Sequence, residues 1–108
     1  VTRLQEAVKQ IYVDDLIKRY VVSLVDATRS HPDISLGSSP RGSLALFRGA
    51  QATALLRDRD FVLPDDVKGL AVPILSHRII VSAAARMRGI GARDVIDGIV
   101  EQVEVPGA

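Results

Sequence analysis

Between Asp14 and Ser30, apolar residues recur in pairs at every fourth position: Leu16 and Ile17, Tyr20 and Val21, Leu24 and Val25, then Thr28. That spacing follows the 3.6-residue period and collects them on one stripe of a helix, whereas a strand would send them to both faces. Lys18, Arg19, Ser23 and Asp26 fall on the other faces. Asp14 is a suitable N-cap and Asp15 adds a second acid to the first turn, where a carboxylate meets unpaired N–H groups. Pro32 ends the helix, because a proline pushes the residue before it out of the α region. A helix with so wide an apolar stripe needs other helices or a sheet to cover it.

The rest of the chain supplies helices. Thr2 to Gln10 reads as a short one, with Leu4, Ala7 and Val8 on one side, and Ile11-Tyr12-Val13 forms an extended apolar joint after it. Residues 31–39, HPDISLGSS, are rich in breakers and read as a loop. Ser39 as N-cap and Pro40 at the first helical position open a second long helix running to about Asp58. Its apolar residues (Leu44, Leu46, Phe47, Ala50, Ala52, Ala54, Leu55, Leu56) spread around most of the circumference, so it is expected at the centre, with Gly49 and the alanines allowing close neighbours. A third helix starts at Pro64 with Asp65 and Asp66 well placed against its dipole, although Leu63 is a poor cap. Val67, Leu70, Ala71, Ile74 and Leu75 form its stripe, and Pro73 kinks it or ends it early. Ile79-Ile80-Val81 is either extended or a buried linker. Ser82 caps a brief Ala-rich turn closed by Gly89 and Gly91, and a last helix covers Ala92 to about Val103, ended by Pro106. The expected fold is all-α, a small bundle of about four main helices in a single domain over residues 1–108.

Composition agrees with a globular domain: 47% of residues are hydrophobic and 25% charged. There is no cysteine, which excludes a disulfide scaffold and thiolate metal sites and fits a reducing, cytoplasmic setting. Fourteen basic residues against thirteen acidic leave a net charge of +1, so no bulk field draws the chain to nucleic acid or membrane. No apolar run approaches the roughly 20 residues that span a bilayer. The chain begins at Val1 rather than Met, with no basic-then-apolar leader, and reads as a piece of a longer protein.

Most chemistries find no footing. There is no phosphate loop of the GxxxxGK[ST] kind, no GxGxxG after a strand and no HExxH. His31 and His77 stand 46 positions apart and read as half-exposed residues near helix ends; for His31, a cation there would suit the negative end of the dipole. Asp14-Asp15 and Asp65-Asp66 read as first-turn acids. The segment Leu36-Gly37-Ser38-Ser39-Pro40-Arg41-Gly42 is different, because its arginine is the second residue of a helix. A cation there opposes the dipole, at a cost of a few tenths to about one kcal/mol. A phosphate oxygen sharing the site would gain from the helix N–H groups and the guanidinium together. Gly42 would permit close approach, although a plain surface arginine fits the same sequence.

This segment also carries a resemblance. LGSSPRG, after a helix ending in Ala27-Thr28-Arg29, resembles the sensor 2 region of MoxR-type AAA+ ATPases, where the pattern is HPD-x-x-LGASPRA and this chain reads HPDISLGSSPRG. Arg59 to Val67, RDFVLPDDV, is similar to the family's GRDYVTPDDV, and Pro73 to Arg78 follows its P-V-L-x-H-R pattern. The three blocks keep the family's order and spacing over nearly the whole chain. The resemblance implies the C-terminal helical lid of such an ATPase, packed over ATP held by an upstream α/β domain that would also hold Mg2+. It implies that Arg41 is the sensor 2 arginine on the γ-phosphate, with Gly37, Ser39 and Pro40 positioning it. The Walker A lysine, Walker B acids, sensor 1 and arginine finger would all lie outside these residues, so hydrolysis would belong to the whole protein. A homo-hexameric, chaperone-like assembly acting on partner proteins, some carrying von Willebrand factor A domains, is implied in the same way. Three departures stand out: Ser38 and Gly42 where the family pattern has alanines, and Leu63 in place of a capping threonine. His77 and Arg78 match the pattern without a role to carry over; packing or contact with a neighbouring subunit is expected. Two other readings stay open. One is a helical DNA-binding module using Arg41, Arg48, Arg57 and Arg59, against which the near-zero charge stands; the other is a helical protein-binding adaptor.

Overall fold

A computed structural model describes residues 2–106 of the chain. The elements run α1 (Thr2–Lys9), α2 (Asp15–Arg29), β1 (Ile34–Leu36), α3 (Pro40–Leu56), α4 (Pro64–Leu75), β2 (Ile80–Val81), α5 (Ala83–Met87) and α6 (Ala92–Gln102). The expected helical bundle is present, with α2, α3, α4 and α6 as its four main members. The side chains of residues 1–5 are not among those described, and the contribution expected of Leu4 to α1 falls there.

Helix α2 follows its stripe. Asp14 accepts a hydrogen bond from the Leu16 N–H at 2.9 Å, and Ile17, Tyr20, Val21, Leu24, Val25 and Thr28 are buried. Leu16 lies at the edge of the stripe and stays 41% exposed. Tyr20 sits at the centre of the core with Leu24, Leu46, Leu75 and Ile96, all fully covered.

Helix α3 is central, touching α1, α2 and α4, but its apolar residues do not all face inward. Leu46, Ala50 and Ala54 are buried while Leu44 and Leu56 are exposed. Gly49 lets α4 approach: a β-carbon there would stand 3.0 Å from Leu70 Cδ1 and 3.3 Å from Ile74 Cδ1. The helix stops at Leu56, two residues short of the expected end, and Asp58 takes a left-handed φ of 58°. Gln51 ties α3 to the joint after α1, its amide donating to the Ile11 carbonyl at 2.8 Å. The joint is extended as expected, and Tyr12 pairs in parallel with Phe61.

Helix α4 runs through Pro73 to Leu75. Pro73 and Gly69 are both exposed, so the carbonyl that loses its i+4 donor has water at hand. Leu63 gives no side-chain cap; Asp66 replaces it, its Oδ2 accepting the Leu63 N–H at 2.8 Å. Asp66 is fully buried, although a first-turn acid normally stays in solvent. Arg59 grips it through both oxygens, at 2.8 and 2.6 Å, and Arg57 adds a contact at 3.3 Å. Burial alone would raise the carboxyl's pKa, but the Arg59 side chain, the Leu63 N–H and the charges of Arg59 and Arg57 outweigh it and hold the value below the ordinary range.

One feature departs from a purely helical fold. Ile34–Leu36, expected as loop, pairs antiparallel with Ile80–Val81, which resolves the second segment as extended. Three residues are too few to show a strand period, and their partner lies more than forty positions away.

Candidate functional site

The site is built where the end of α2 meets the start of α3. Thr28, in the last turn of α2, donates its hydroxyl to the Val25 carbonyl at 2.6 Å and accepts the Ser38 N–H at 2.9 Å. Arg29 Nε donates to the Ser38 carbonyl at 2.9 Å. Two consecutive side chains of α2 therefore hold both backbone groups of Ser38, the residue before the α3 cap. Gly37 makes this approach possible. A β-carbon there would lie 2.7 Å from the Thr28 carbonyl oxygen and 2.8 Å from Arg29 Cα, closer than any side chain tolerates.

The loop is tied on its other side as well. Asp33 accepts the Ser82 N–H on its backbone carbonyl at 2.8 Å, and its carboxylate meets Arg88 at 2.7 Å. His31 Nδ1 accepts the Asp33 N–H at 3.0 Å, so the ring closes a turn just after α2. Ser35 donates its hydroxyl to the Ile80 carbonyl at 3.1 Å across the β1–β2 pair.

From this frame α3 begins. Ser39 caps it, accepting the Arg41 N–H at 3.3 Å, and Pro40 fills the first helical position. Arg41 follows, exposed, with no ion pair or side-chain hydrogen bond among the described residues. The structure thus brings Gly37, Ser39, Pro40 and Arg41 into one turn. Gly37 faces the α2 backbone, Ser39 and Pro40 shape the helix start, and Arg41 alone presents a free functional group. An uncompensated guanidinium at the positive end of a helix suits an oxyanion, which both the side chain and the dipole would attract.

The other arginines of the DNA-binding reading have partners within the domain. Arg57 and Arg59 are held by Asp66, and Arg48 donates to Gln51 Oε1 at 3.1 Å. Three of the four arginines in that reading are thus held by neighbours in the domain. Thr28 and Arg29, which hold the site, could not be singled out from the sequence; the signal was a hydroxyl residue on an otherwise apolar buried stripe. Among the described residues no group of three or more His, Asp or Glu side chains gathers as a metal site, and no helix is long and apolar enough to cross a membrane.

The AAA lid domain family matches residues 26–99, which include the whole loop and all its supports. The uncharacterized protein YeaC of Bacillus subtilis (strain 168) is 47% identical over 95% of this chain and 32% of its own length. The Mycobacterium tuberculosis protein named chaperone MoxR1 is 33% identical over 96% of this chain and 30% of its own. The protein MoxR of Paracoccus denitrificans is 34% identical over 85% and 31%. A crystal structure from Cytophaga hutchinsonii, provisionally described as an ATPase, superposes with a TM-score of 0.88 at 33% identity, covering 93% of this chain and 33% of that one. The chain spans about a third of the length of the relatives it matches.

Proposed function

The chain is an AAA lid domain of the MoxR type, and on that premise we propose that it closes over ATP held by an upstream α/β domain and reads the nucleotide through Arg41. The observation that carries this reading is the free guanidinium of Arg41 on a helix start fixed from two sides, by Thr28 and Arg29 of α2 and by Asp33 and β1. The donor set fits a phosphate: a permanently charged fork at the positive end of a helix, whose first N–H groups are closed by Ser39. Mg2+ would be held by the upstream domain, and bound ATP supplies the phosphoryl group whose hydrolysis drives the assembly. In that setting Arg41 contacts the terminal phosphate and steadies its charge. Ser39 and Pro40 fix the turn from which the side chain projects, and Gly37 lets that turn lie against α2. A homo-hexameric, chaperone-like ATPase in the cytoplasm, remodelling partner proteins that include von Willebrand factor A domain proteins, is the wider reading that goes with it.

The test is Arg41→Ala in the full-length protein. Steady-state ATP hydrolysis is expected to fall at least about tenfold, the loss of one charge-assisted contact, with the fold retained. Unchanged turnover together with unchanged ATP affinity overturns the reading.

A further inference from the structure

Resting on the reading of Arg41, we propose that Arg78 is a second cation on the same terminal phosphate group. The start of α3 lies beside the end of α4: a β-carbon on Gly42 would stand 3.4 Å from Leu75 Cδ2, and Arg78 follows Leu75 by three residues. Between the two helices lies an open depression of about 500 Å3 lined by Ala45, Pro73, Ile74, His77 and Arg78. Ala45 is one turn beyond Arg41 on the same flank of α3. Helical side chains lean toward the N-terminus of their helix, and the β1–β2 pair sets Leu36, five residues before Arg41, opposite Ile80, two residues after Arg78.

The charges at this end are uncompensated. Arg78 and His77 are exposed and have no ion pair or side-chain hydrogen bond among the described residues, and no carboxylate lines the depression. The neighbouring arginines are satisfied differently, Arg29 by Ser38 and Asp26 and Arg88 by Asp33. Two exposed guanidinium groups without a carboxylate partner among the described residues leave an anion between them two partners. A terminal phosphate has oxygens for both, and two planar forks can bind it at once.

The experiment is an NMR titration of the 108-residue chain with inorganic tripolyphosphate at matched ionic strength. It follows the Nε–Hε signals of Arg41 and Arg78 and the amides of Ser39, Arg41 and Gly42. Both arginine signals are expected to move along one binding curve. Arg78→Ala is expected to weaken the apparent affinity about tenfold, and Arg78→Lys less, because a point charge lacks the fork. Arg78 is exposed, so an otherwise unchanged spectrum confirms that each variant is folded. Binding in Arg78→Ala equal to that of the parent, or an Arg78 signal that stays still while that of Arg41 saturates, overturns the proposal and leaves the reading of Arg41 standing. If neither arginine responds, the shared site is overturned, and a protein carboxylate becomes the better partner for this end. The ATP-turnover test on Arg41→Ala judges the nucleotide reading separately.

Discussion

The hydroxyl of Ser38 occupies the space that a β-carbon on residue 42 would need. The two positions are four apart in sequence and meet because Ser38, 1% exposed, is folded under the first turn of α3. Both depart from the family pattern, which has alanine at each. The structure makes them a single change: the oxygen gained at 38 fills the volume vacated at 42.

Gly42→Ala alone should therefore destabilise the chain by about 1–3 kcal/mol, the cost of overpacking outweighing the better helix propensity. In a Ser38→Ala background the same substitution should be neutral or stabilising by up to about 1 kcal/mol. Chemical denaturation of the four proteins in a double-mutant cycle measures the coupling, expected at about 2 kcal/mol. Additive effects would mean that the two residues do not compete for one space.

Asp66 is the only fully buried carboxylate among the described residues, and removing it strands Arg59. Asp66→Asn should cost about 3 kcal/mol near neutral pH, read from urea midpoints. The folded-state pKa of Asp66 is depressed, so its contribution is present above the unfolded value of about 3.9 and is lost as pH falls toward the folded value. The stability gap between parent and variant should close as pH drops below about 4. A gap that widens under acid would contradict the pairing.

Tyr20 fills the core, yet its hydroxyl is buried without a hydrogen-bond partner among the described residues. Burial, with some help from the charge of Asp65, raises its pKa. Tyr20→Phe removes an unsatisfied polar atom and keeps the ring, so it should be neutral or stabilising by up to about 1 kcal/mol. Tyr20→Ala should cost about 3–5 kcal/mol through the cavity it leaves. A thermal melt of each variant checks both, and a Phe variant that loses more than about 1 kcal/mol would reveal a partner for the hydroxyl.

Thr28→Val keeps the shape of the α2 stripe but removes the acceptor for the Ser38 N–H. The chain should lose about 1–2 kcal/mol, and amide exchange at Ser38 should quicken by at least about tenfold. Exchange at Leu24, in the middle of α2, should slow or quicken only with global stability. Equal changes at both amides would assign Thr28 to general packing instead.

Much of the fold was legible because its signals are local. The α2 stripe, the Ser39-Pro40 start of α3 and the breakers that end each helix act within a few residues, where sequence patterns carry physical information. The β1–β2 pair was not, since Ile34–Leu36 is too short to show a period and its partner is remote. The role of Asp66 was hidden for a similar reason: Arg57 and Arg59 look like a charged linker until the chain turns and brings Arg59 onto the carboxylate. At the candidate site, cap chemistry picked out Ser39, Pro40 and Arg41. Thr28 and Arg29 escaped, because their bonds to Ser38 reach nine and ten residues along the chain.

Asp33 gives the domain a mechanical character. One residue fastens the loop that leads to Arg41 to both ends of α5, through its carbonyl to Ser82 and through its carboxylate to Arg88, while β1 grips β2 immediately afterwards. The arginine is mounted on a chassis and not on a hinge. A load applied at the start of α3 would be shared among α2, the β1–β2 pair and both ends of α5.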